Sequence, residues 1–132
     1  MQKAVNSLER ALEVASSHIK GASDSEQEKV IRAGVIQTFE FTYELCWKFI
    51  KRWLEANGEG ASVDGATRKE VFRIAAEKQL IENVELWFEY TKARNEIAHT
   101  YNPDTAQEVY QKAIKFIRDA ELLLKKLESK ND

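Results

Sequence analysis

The residues best suited to chemistry crowd into one stretch, Ala93-Arg94-Asn95-Glu96-Ile97-Ala98-His99-Thr100-Tyr101-Asn102-Pro103. A guanidinium can grip a phosphodiester through two parallel hydrogen bonds and stabilise charge developing on phosphorus. An imidazole exchanges protons near neutral pH, so His99 could activate a ribose 2′-hydroxyl or protonate a leaving oxygen, in a reaction that needs neither metal nor cofactor. Asn95 and His99 are four residues apart and share a helix face, from which Asn95 can orient either reacting group. Arg94 lies about 140° round from His99 on an ideal helix. Convergence is therefore easier if the helix frays, or if a two-fold mate brings its own Arg94 and His99 to the same cleft. Spacing alone also fits a plainer account, with His99 complementing the negative end of a helix, Arg94 in a surface ion pair and Tyr101 simply packed.

Glu40 and Glu44 form a second constellation, one helical turn apart within an apolar run. Buried carboxylates need partners, and Arg94 is a candidate that would make them supporting, cleft-lining groups, although a solvated groove would satisfy them equally well. The remaining candidates are weaker. His18 sits near the expected end of a helix, where a structural or exposed role outweighs catalysis. Cys46, flanked by Leu45, Trp47, Phe49 and Ile50, looks like a buried thiol and has no disulfide partner. No Gly-rich phosphate loop, paired-cysteine spacing or nucleophile elbow is present, and His18 and His99 are far apart, so no metal site is indicated.

Helices must position these groups. Val5, Leu8, Leu12, Ala15 and Ile19 recur at helical spacing, giving an amphipathic first helix expected to end at Gly21. Ser25-Glu26-Gln27-Glu28 is a capping-box pattern opening a long second helix to about Ala56. Its middle carries Ile36, Phe39, Phe41, Tyr43, Leu45, Trp47, Phe49, Ile50 and Trp53, more apolar surface than one stripe. In so short a chain the other helices are not expected to cover all of it, so part should meet an identical subunit. Burial explains this aromatic cluster better than base stacking does. Asn57-Gly58-Glu59-Gly60-Ala61-Ser62 reads as a flexible turn, and Thr67-Arg68-Lys69-Glu70 opens a short third helix. A fourth runs from about Glu82 to the His99 region, and Asn102-Pro103 ends it and starts the last, with its stripe of Tyr110, Ile114, Ile117, Leu124 and Leu127. The fold expected is all-α, an antiparallel up-and-down bundle of about five helices forming one domain over residues 1–132, and homodimeric.

The 132 residues carry 20 basic and 22 acidic side chains. No broad positive field therefore advertises nucleic-acid binding, and any phosphate-binding surface must be local. The lone cysteine fits a reducing, cytoplasmic setting. Every long apolar stretch is cut by charge and the N-terminal segment lacks a signal-peptide core, so neither secretion nor a membrane partner is expected.

Three motifs in order, Phe39-Glu40-Phe41-Thr42-Tyr43-Glu44-Leu45-Cys46-Trp47-Lys48, Arg68-Lys69-Glu70-Val71-Phe72-Arg73 and Arg94-Asn95…His99-Thr100-Tyr101, give a chain that resembles the nucleotidyltransferase substrate-binding branch of the HEPN superfamily. The likeness spans nearly everything after the first helix. It implies a helical homodimer paired with a minimal nucleotidyltransferase (MNT), with RNA or a nucleotide as ligand and no DNA. It carries two functional descriptions. In one, the HEPN protein is a toxin ribonuclease of a toxin–antitoxin module, which the MNT antitoxin silences by adding AMP to the tyrosine of the motif. In the other, it is a noncatalytic subunit that presents substrate to the nucleotidyltransferase. Carried onto this chain, Arg94 and His99 are the ribonuclease pair, Asn95 a positioning residue and Tyr101 the AMP acceptor. A nucleotide on Tyr101, two residues from His99, would put bulk and negative charge into an RNA cleft, as phosphorylation does elsewhere.

Overall fold

Ser25 caps the longest helix by accepting a hydrogen bond from the Glu28 amide at 3.1 Å, and in the computed structural model, which describes residues 1–19, 25–99 and 102–130, that helix organises everything else. In chain order the helices are α1 (Gln2–His18), α2 (Glu26–Leu54), the single turn α3 (Gly60–Val63), α4 (Arg68–Glu77), α5 (Val84–His99) and α6 (Pro103–Lys130). Thr67 caps α4 by accepting from the Glu70 amide at 3.2 Å, and Asn102 starts α6 by accepting from the Thr105 amide at 2.8 Å. Among the described residues there is no strand. Helix α1 stops at His18, short of the expected Gly21, which lies outside the described residues. Helix α2 ends at Leu54, and the chain leaves helical geometry at Asn57 and Gly58, whose φ of 91° is one that glycine tolerates.

The helices run up and down. Thr42 lies 3.3 Å from the Ala4 carbonyl and Cys46 3.9 Å from the Met1 sulfur, so α1 is antiparallel to α2. Helix α5 runs against α6: Lys112 donates to Glu89 at 2.6 Å, the Tyr90 hydroxyl donates to Asp119, and Lys126 reaches Glu82 at 3.9 Å. Phe116 of α6 sits at the centre, its ring 5.1 Å from those of both Phe39 and Tyr90 and 5.8 Å from that of Trp87. Phe72 of α4 continues the cluster to Trp87 and Trp47, at 5.5 and 5.8 Å. Ring pairs of this kind, all edge-on except the tilted Phe72–Trp87 pair, bury large apolar areas and fix how the helices cross.

The other helices cover α2 more completely than its sequence suggests. Phe39, Tyr43, Cys46, Ile50 and Leu54 are buried, while Trp47, Phe49 and Trp53 are partly buried against the core. Phe41 is the departure, 62% exposed, and Val30 on the same helix is 71% exposed. Burial pushes the Cys46 thiol up to about 12, so it is unreactive, as its apolar flanks imply. His18 is exposed, with Nδ1 2.9 Å from the Val14 carbonyl. No described helix is long and apolar enough to cross a membrane.

Candidate functional site

Helix α5 remains helical through His99. Fraying therefore does not bring Arg94 round to the imidazole, and the two side chains leave the helix on different sides. Asn95 and His99, both exposed, line an open groove of about 620 Å³ together with Phe88 and Thr91 of α5 and Lys69 of α4. Arg94 turns instead towards α2, where its Nε lies 3.0 Å from Glu44 Oε1. That N–H is not aligned with the oxygen, so the contact is an ion pair rather than a hydrogen bond.

Glu44 is fixed from a third helix. Arg68 of α4 donates to it twice, Nη1 to Oε1 at 2.9 Å and Nη2 to Oε2 at 3.1 Å. The Arg68 guanidinium also lies over the Trp47 ring, 4.8 Å from its centre, and 5.8 Å from that of Tyr43. The Tyr43 hydroxyl donates to Thr91 Oγ1 at 2.6 Å, and that oxygen donates to the Trp87 carbonyl at 2.9 Å, locking α2 to α5 one turn before Arg94. A two-pronged bond to Arg68 thus holds the carboxylate while a single looser contact holds Arg94. The outer nitrogens of Arg94 make no hydrogen bond to another described residue.

The two carboxyls of α2 respond in opposite ways. Desolvation pushes Glu44 up, but hydrogen bonds and charge from Arg68, with further charge from Arg94 and Lys48, outweigh it and hold the carboxyl below its ordinary range. Glu40 has no such clamp: desolvation raises it, Arg94 pulls it down, and repulsion from Glu44 adds to the rise. Of the two arrangements open to the α2 carboxylates, a solvated groove or pairing with Arg94, the pairing is present for Glu44. Among the described residues no three His, Cys, Asp or Glu side chains come together as metal ligands. Tyr101 and Thr100 lie outside the described residues.

The sequence places Arg68 and Lys69 at a helix start and in a family motif but ties neither of them, nor Phe88, to the site, yet all three flank it. A signal existed for the first two. Cations in the first turn of a helix oppose its dipole, so Arg68 and Lys69 at the start of α4 imply an electrostatic partner elsewhere.

Residues 1–129 match the family described as nucleotidyltransferase substrate binding protein like. The chain belongs to this HEPN-type family. A Haemophilus influenzae member named probable ribonuclease HepT is 36% identical over 100 residues, covering 75% of this chain and 68% of that protein. A solved Haemophilus influenzae structure, described as having the fold of a substrate binding domain of a nucleotidyltransferase, superposes with a TM-score of 0.85 at 29% identity and covers 96% of both chains. A Thermus thermophilus structure gives a TM-score of 0.66 at 29% identity, covering 91% of this chain and 98% of the other. The HEPN-type fold expected from the three motifs is thus the fold observed, and Arg94, Asn95 and His99 stand on its α5.

Proposed function

We propose that this protein is a metal-independent endoribonuclease that acts as a homodimer. The observation that carries the reading is Arg94, held on Glu44 by one unaligned contact with its outer nitrogens left for a phosphate, on the same helix end as Asn95 and His99. The named ribonuclease relative supports it. His99 takes the proton from a ribose 2′-hydroxyl, whose oxygen attacks phosphorus. The bond to the 5′-oxygen breaks as that oxygen takes a proton from the His99 imidazolium, leaving a cyclic 2′,3′-phosphate and a free 5′-hydroxyl. Arg94 stabilises the charge on the phosphorane and Asn95 orients the imidazole or the ribose. In one protomer Arg94 and His99 face different sides, so the proposed dimer supplies the missing half: Arg94 of one subunit serves the groove of the other. An MNT partner would silence the enzyme by transferring AMP to Tyr101.

The chain is purified alone and assayed on RNA with chelator present. His99→Ala and Arg94→Ala should each abolish cleavage while leaving helix content unchanged, and undiminished cleavage in both would remove these residues from the mechanism. Incubation with an MNT partner and ATP should add the mass of AMP at Tyr101, and Tyr101→Phe should resist it. The second reading, a noncatalytic subunit that presents substrate to a nucleotidyltransferase, is favoured by the description of the superposed Haemophilus influenzae structure and by a groove within the usual size range of small-molecule sites. In that case RNA stays intact and calorimetry detects nucleotide binding that Asn95→Ala weakens.

A further inference from the structure

The groove that holds His99 extends well beyond it, back along α5. Phe88, Lys92, Asn95 and His99 recur every three or four residues and stand on one side of the helix. From Phe88 to His99 that side is about 16 Å long at the helical rise, more than a single scissile phosphate occupies. At the far end, the Lys69 ammonium and Arg73 guanidinium of α4 lie 5.4 and 5.3 Å from the centre of the half-buried Phe88 ring.

Charge along the groove is mixed, and its pairing is uneven. Glu89 is neutralised by Lys112 at 2.6 Å and Glu96 by Lys92 at 3.8 Å. Among the described residues Lys69 and Arg73 have no carboxylate within ion-pair distance, and Glu85 is the one lining acid left without a cation. The Phe88 end is therefore locally cationic in a chain whose formal net charge is −2. A cation resting on the solvent-facing side of a half-buried ring is weakly held, so an arriving phosphate can draw it away and uncover the ring face.

We propose that Phe88, Lys69 and Arg73 form a second nucleotide subsite, which takes a single-stranded RNA residue beyond the two that flank the bond cut at His99. The base stacks on Phe88 and its phosphate is held by the two α4 cations. This rests on the ribonuclease reading for the identity of the ligand, and it adds a strand direction along α5 and a minimum substrate length.

The test measures binding of a fluorescent eight-nucleotide single-stranded RNA to the full chain by anisotropy, in chelator, across a salt series, alongside cleavage of the same RNA and of a dinucleotide. Phe88→Leu should weaken octamer binding about tenfold, and Phe88→Tyr should restore it. Lys69→Gln, an exposed change that spares the core, should lower the salt slope of log affinity by about one. Cleavage of the octamer should fall in step, while cleavage of the dinucleotide, too short to reach Phe88, should hold. Octamer binding unchanged in both Phe88→Leu and Lys69→Gln overturns the subsite and leaves the ribonuclease reading intact. Wild-type binding with these sensitivities but no cleavage sustains the subsite and overturns the ribonuclease reading. If the two variants lose a nucleotidyltransferase partner in pull-down while RNA binding is unaffected, the groove is a protein seat and the proposal fails.

Discussion

At the scale of single residues, the site turns on how one carboxylate is shared by two arginines. Glu44 is held below its ordinary value, so the stability it contributes is complete above the unfolded value near 4.5 and is lost as pH falls through the depressed one. Glu40 is raised, so its ionisation costs stability above 4.5, and the cost vanishes as pH drops below that value. Urea melts across pH 3 to 7 should therefore separate the pair. At pH 7 Glu44→Gln should destabilise by about 1–2 kcal/mol, shrinking towards acid, whereas Glu40→Gln should be neutral or stabilising at pH 7 and without effect near pH 3. Identical pH profiles for the two variants would refute the asymmetry. The Arg94–Glu44 pairing was half legible in the sequence, because an acid inside an apolar helix needs either a cation or a solvated groove, and spacing does not choose between them. The dominant partner, Arg68, was not, because nothing in linear spacing says that the start of α4 lands beside the middle of α2. Arg68→Lys keeps the charge and loses the two-pronged bond. If Arg68 positions Arg94 through Glu44, turnover on RNA should fall about tenfold with KM nearly unchanged, and a KM effect alone would make Arg68 a binding residue instead.

At the scale of elements, helix starts were read well and helix ends less so. Starts carry a chemical signature, and Ser25, Thr67 and Asn102 all cap as their types imply. The end of α4 has no such label. It closes with the Leu80 amide donating to the Ala75 carbonyl at 2.9 Å and Gln79 in the left-handed region at φ 62°, a place usually taken by glycine. Leu80 is fully buried, and its burial holds the turn against the local preference of Gln79. Gln79→Gly should stabilise the fold by about 1 kcal/mol. The bond from Lys126 to the Gln79 carbonyl, at 3.0 Å, is to the backbone and survives the change. Thr67→Ala should act in the opposite sense, costing about 1 kcal/mol, and because the first turn of α4 carries Arg68 and Lys69 it should also weaken RNA binding. Thermal melts of the two variants check the sign, and a destabilised Gln79→Gly would mean that the glutamine side chain itself holds the turn.

At the scale of the whole molecule, the question is what covers α2. The sequence shows an excess of apolar side chains on this helix but not which of them the bundle buries, since that depends on where Phe72 and Phe116 arrive from distant helices. The bundle takes nearly all of them and leaves Phe41, with Val30, Gly34 and Gln37 exposed at helical spacing on the same side. Phe41 is three residues from Glu44, so a second subunit seated on this stripe would approach Arg94, as a composite site requires. The area is modest, so self-association through it should depend on protein concentration and respond sharply to one charge. If the proposed dimer forms through this stripe, Phe41→Glu should convert it to monomer in sedimentation equilibrium with little loss of helix content or thermal stability, because most of the side chain faces solvent within its own chain. Cleavage should fall with dimer content and recover as protein concentration is raised, separating a composite site from a self-sufficient one. A monomeric Phe41→Glu protein that cuts RNA at the wild-type rate would show that each protomer carries a complete site, and Arg94 would then have to reach the His99 groove by leaving Glu44 within its own chain.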